Sequence, residues 1–257
     1  MNISMIKLKG RGFLMGNLTV ISLLILSLLS LSLCMNLIPG VVFQWETDLS
    51  EKSRSAIVLT LSVCIIAFLF AVISALDMGI DRFFLRKAQK KGASTKDFFF
   101  YFKPKEVLGM LSFSLRLFLI KFIMGTVCFL PAVLCGALVS SMISSSASLN
   151  VSVVLLIAFL CFILNGMYFY SRFSGTLFLA KYYYIKGEYL NFRQLVSSSQ
   201  YTMKKELKNL RRLKLSFSGW FLLCLFILPS LYVFSYYRQS SAVIAAEFMK
   251  TDPLQNR

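Results

Sequence analysis

Four stretches of this chain carry no Asp, Glu, Lys or Arg: 12–45, 55–76, 122–171 and 215–237. A helix that shows one face to water interrupts its apolar residues with charges every turn or two. A helix crossing a hydrocarbon core about 30 Å thick needs about 20 predominantly apolar residues. The uncharged stretches meet the second requirement and not the first. The third is long enough to cross twice, with the polar hinge SSSASLN between its halves. We therefore read an all-α, polytopic transmembrane helix bundle of about five spans. They fall at about 17–43, 56–76, 118–142, 151–174 and 215–237. At 57% hydrophobic and 15% charged residues, the chain is too apolar for a soluble domain. Its longest hydrophilic connection, about 181–214, is too short to fold alone, so the whole chain reads as one integral membrane domain.

The net charge of +17 is concentrated at Lys7, Lys9 and Arg11, within 82–105, and within 181–214. The connection 44–54 has mixed charge, and 143–150 has none. The positive-inside rule then predicts a cytoplasmic N-terminus and an external C-terminus. Nucleic acid is not the expected partner, because the cations flank the spans, where orientation and anionic lipid account for them. The first apolar run follows a basic segment as a signal peptide does. LSLC at 31–34 is similar to a lipoprotein cleavage box, with Leu33 where a small residue is wanted. The run continues to Phe43, so it is read as an uncleaved span. Trp45 follows as an outer-interface anchor.

Two segments between spans, 81–105 and 190–213, read as cytoplasmic-side amphipathic helices. In the second, Phe192, Leu195, Val196, Met203, Leu207 and Leu210 share one face, and Asn191 with Gln194 offers a capping box. Lys204, Lys205, Lys208, Arg211 and Arg212 fill the other face, as expected for contact with anionic headgroups. In the first, Gly92 reads as a helix stop and Ser94 as a cap. The run Phe98–Phe102 has two readings: rings in the headgroup boundary, or rings buried against the bundle. Trp220, Tyr236 and Tyr237 bracket the last span as interface anchors. A sixth membrane segment near 240–249 stays open.

Little catalytic chemistry is available. There is no His, and the six Cys all sit in apolar runs without a CxxC pair. A His/Cys metal centre, an HExxH protease and a Ser–His dyad are therefore not expected. Asp77 and Asp81 lie at one end of one span, which does not suit an intramembrane aspartyl protease. No Walker loop occurs, and no cofactor is implied. What remains is a charged set at the cytoplasmic ends of the middle spans: Asp77, Arg82, Arg116, Lys121 and Arg172. Ions at such depths are expensive unless they pair, snorkel or line a wet cavity. Ion pairing of Asp77 with Arg116 or Lys121 is the plainer reading, and a polar pocket for an anion the sharper one.

LSFSGW (Leu215, Ser216, Phe217, Gly219 and Trp220), preceded by Ser199 and Met203-Lys204, resembles the closing signature of a bacterial membrane protein family, domain of unknown function 975. Gly79, Phe83-Phe84-Leu85, Ala88, Asp97, Phe99, Phe102 and Lys103 are similar to its middle signature, and Leu14-Met15-Gly16-Asn17 to its start. The chain departs from the pattern at Lys205, at Ser235-Tyr236 and at Phe248-Met249. The resemblance implies a multi-pass protein of the bacterial cytoplasmic membrane and brings no activity with it. The expectation is a non-enzymatic accessory or scaffold protein contacting anionic lipid. The alternative is a transporter or permease component working with a partner ATPase or as a homo-oligomer.

Overall fold

The structure, a computed structural model, describes residues 3–14, 51–144, 149–187, 191–222 and 227–250. Its helices are α1 (Ile3–Leu14), α2 (Glu51–Ala88), α3 (Pro104–Ser144), α4 (Leu149–Thr176), α5 (Ala180–Lys186), α6 (Phe192–Leu222) and α7 (Ile227–Lys250). Two 3-10 turns, Thr95–Asp97 and Phe100–Phe102, connect α2 to α3. The described residues contain no strand. Three segments are long and apolar enough to cross a membrane: Val63–Ala88, Pro104–Ser141 and Val154–Lys186. They overlap the second, third and fourth expected spans, at 56–76, 118–142 and 151–174. The expected first span and Trp45 lie outside the described residues.

Each of these three helices changes character along its length. Val63, Ile66 and Phe68 at the start of α2 are exposed, as are Phe122, Val133 and Leu138 late in α3 and Val154, Ile157 and Leu164 early in α4. This is the apolar belt that lipid would cover. Within it α3 and α4 pack closely, since a Cβ on Gly166 would stand 2.9 Å from the Cys128 carbonyl oxygen. Small residues permit such approach where lipid gives no hydrophobic drive.

Beyond the belt the same helices enter a compact base. Phe83, Phe84 and Leu85 of α2, Met110 and Phe113 of α3, and Tyr182 and Tyr183 of α5 are buried together there. The Phe98–Phe102 run divides between its two readings. Phe98 and Tyr101 are buried, whereas Phe99 and Phe102 are exposed. The Ser94 capping box sets this alternation by starting a 3-10 turn. Asp97 then ties the turn to α2, with Arg86 at 2.6 Å and Arg82 at 3.5 Å. Gly79 leaves the room for it, because a side chain there would run into the Phe98 carbonyl.

Helix α6 starts as expected, with the Asn191 N–H donating to Gln194 Oε1 at 3.0 Å. Its apolar face does not look to lipid. Leu195, Met203, Leu210, Leu213 and Phe217 are buried in the base. Ser199 Oγ donates to the Thr176 carbonyl at 2.7 Å, and Leu207 and Leu210 meet the position next to it, Gly175. A stretch of α6 several turns long thus meets one turn of α4, so the two cross obliquely where the apolar belt ends.

The last uncharged run departs most from expectation. A single helix over 215–237 would hold Phe217 and Tyr236 roughly 28 Å apart. Their rings lie 5.0 Å apart, and Trp220 and Tyr236 lie 6.5 Å apart. Helices α6 and α7 therefore fold back on one another, and Trp220, Tyr236 and Tyr237 do not bracket a span. The segment 240–249 is the second half of α7, with Ala242, Ile244 and Phe248 in the buried core. The far end of α7 returns to α1, where Lys9 pairs with Glu247 at 3.9 Å. Lys250, the last described residue, thus lies beside α1; residues 251–257, and with them the expected external C-terminus, lie outside the described residues.

Candidate functional site: a cationic cavity where the apolar belt meets the base

Where the three apolar segments meet the base, charged side chains collect around Asp81. Asp77 and Asp81 sit one turn apart on α2, on its inward face. Lys181 opens α5 just after α4 ends. Arg238 follows the uncharged run on α7. Lys181 Nζ donates to Asp81, and Arg238 donates to Asp77. Arg238 Nη1 also stands 4.0 Å from Asp81, whose side chain is 1% exposed. A buried carboxylate survives only if it is paired, and Asp81 has a cation on either side. Burial alone would lower the Arg238 pKa; the Asp77 and Asp81 carboxylates outweigh it and raise it.

Beside this network lies a cavity of about 310 Å³. Lys121 enters it from α3, Lys181 from α5, Lys214 from α6 and Arg238 from α7, with Asp81 as its lining carboxylate. Ser174, Tyr182, Tyr237 and Ser241 add hydroxyls, and Leu117, Leu177, Phe178 and Phe234 make the apolar wall. Burial lowers the pKa of Lys214. Lys121 and Lys214 have no carboxylate within ion-pair distance among the described residues. The arrangement suits holding an anion. No cluster of His, Cys, Asp or Glu among the described residues could hold a metal.

The structure scatters most of the charged set read from the sequence. Asp77 and Lys121 belong to this layer, but the direct partner of Asp77 is Arg238, not Arg116 or Lys121. Arg82 turns into the base, its guanidinium 3.4 Å from the centre of the Phe100 ring and paired with Asp97. Arg116 is exposed, 5.9 Å from the Phe192 ring centre. Arg172 lines a separate, mostly apolar groove between α3 and α4. Lys204, Lys205, Lys208, Arg211 and Arg212 are all exposed on α6, and Arg211 reaches the Tyr168 ring at 5.4 Å.

Sequence reasoning missed Lys181, Lys214 and Arg238. A signal was present for two of them. Lys214 and Arg238 are the charges that end the last uncharged run on either side. If that run is a hairpin, they must lie at one depth. No family model, no curated protein and no solved structure matches this chain.

Proposed function

We propose that this chain is a non-enzymatic accessory or scaffold protein of a bacterial cytoplasmic membrane, with its helical base on the cytoplasmic side in contact with anionic lipid. The observation that carries the reading is the placement of α6. Five of its exposed cations, from Lys204 to Arg212, run along the edge of the apolar belt, where headgroups would lie, while its apolar face is held by the base. Each such cation gains about 1 kcal/mol near an anionic leaflet. The charge of the base sets its side by the positive-inside rule, and the far end of α7 lies on that side with it. The uncharged run of 215–237 then enters the hydrocarbon and returns, since each leg has about half of the roughly 20 residues a crossing needs. The resemblance to domain of unknown function 975 agrees with this reading.

The test is purification of the full chain from membranes in mild detergent, with its lipids and proteins identified. Anionic lipid should be enriched over zwitterionic lipid. Changing Lys204, Lys205, Lys208, Arg211 and Arg212 to Gln should remove the enrichment without unfolding the protein. Equal lipid content in the variant would overturn the reading. The second reading, a transporter component, draws on the cavity; a stoichiometric ATPase subunit in the same preparation would favour it.

A further inference from the structure

The cavity at the charged layer holds more positive charge than its own carboxylates neutralise. Lys181 is committed to Asp81, and Arg238 to Asp77. Lys121 and Lys214 face the same space and are left over. Arg238 Nη1 is buried without a hydrogen-bond partner, with an Asp81 carboxylate oxygen 4.0 Å away. Buried cations that lack a partner are costly, and cavities of one sign concentrate ions of the other. The three side chains come from α3, α6 and α7 and line one cavity, an arrangement that offers donors to a tetrahedral oxyanion from more than one helix. Guanidinium and ammonium groups are the usual recognition elements for phosphate. The wall formed by Leu117 and Phe234 suits a carbon substituent rather than further charge.

We infer that this cavity binds a phosphate monoester, its two negative charges matching Lys121 and Lys214, with Arg238 Nη1 as the third donor. Two sources offer that chemistry: a soluble phosphate ester, or a lipid whose headgroup is a bare phosphate. The lipid source rests on the reading above that this layer lies at headgroup depth; the phosphate site itself does not. Nothing in the site performs chemistry on the ester, so binding is the whole of the inference.

The test uses the full chain in a neutral detergent. Thermal unfolding is followed in sodium phosphate and in sodium chloride of equal ionic strength, then with glycerol 3-phosphate and with short-chain phosphatidic acid. Native mass spectrometry of the unaltered protein counts bound ligands without relying on any variant. Phosphate should raise the unfolding midpoint over chloride. The Lys121→Met/Lys214→Met double variant should fold, since neither change breaks an ion pair. It should be at least as stable as the parent in chloride, and its apparent affinity for phosphate should fall at least about tenfold. Lys105→Met, at an exposed position, should retain the full response. So should the variant with five α6 cations replaced, which separates this site from the lipid contact of that helix. Tighter binding of phosphatidic acid than of glycerol 3-phosphate identifies the lipid source, and equal binding the soluble one. No difference between phosphate and chloride, or an undiminished response in the double variant, overturns the inference.

Discussion

Asp81 is the residue on which the charged layer depends most. It is 1% exposed, bonded to Lys181, with Arg238 beyond. Asp81→Asn removes the charge and leaves Lys181 without its partner. Loss of one partner of a buried pair costs about 3–5 kcal/mol, so accumulation and unfolding midpoint in detergent should fall sharply. Asp81→Asn/Lys181→Met should recover much of the loss, because no lone buried charge then remains. Asp77 is a milder case, its side chain 38% exposed. Asp77→Asn should be rescued by Arg238→Met and not by Lys121→Met, which reverses the pairing expected from sequence. Gly79 tests packing rather than charge. Gly79→Ala drives a methyl group into the Phe98 carbonyl, and a cost of about 1–3 kcal/mol is expected from overpacking. The same measurement checks it.

At the scale of elements, the α6–α7 hairpin separates the two ways of reading 215–237. In a background without native cysteines, Phe217→Cys and Tyr236→Cys should be joined by a short bifunctional thiol reagent that fills the gap left by the two rings, because the native rings lie 5.0 Å apart. In one straight helix the two positions would be roughly 28 Å apart and could not react. Hydropathy could not make this distinction, because an uncharged run of a given length reads the same whether it crosses once or turns halfway. The belt helices were legible for the converse reason: their charge-free length leaves one solution. The basic helix was legible in its period but not in its partner. Leu195, Met203 and Leu210 announce an apolar face, and sequence alone cannot say whether lipid or protein covers it. The cap residues were read correctly at Ser94 and Asn191 because capping is local. The ion pairs were not, because Lys181 meets Asp81 across 100 positions of sequence.

The described residues form an apolar belt standing on a charged, well-packed base, and the base gathers both ends of the described chain. A topology reporter fused after Lys91 and one fused after Arg257 should therefore report the same side, cytoplasmic under the proposed orientation. Opposite signals would restore a fifth crossing and reject the hairpin as an element that turns back. The contacts of α1 carry a consequence for how the protein is made. Lys7 Nζ donates to the Ser216 carbonyl at 2.8 Å, and Tyr236 donates to the Lys7 carbonyl at 3.1 Å. Helix α1 leaves the ribosome before α6 and α7 and must wait for them before its buried side has these partners to cover it. Such distant pairings form late, since a long loop must close first. A chain that stops before α7 leaves the base core open to chaperones and proteases, so closure of α1 onto α7 marks a copy whose base is assembled.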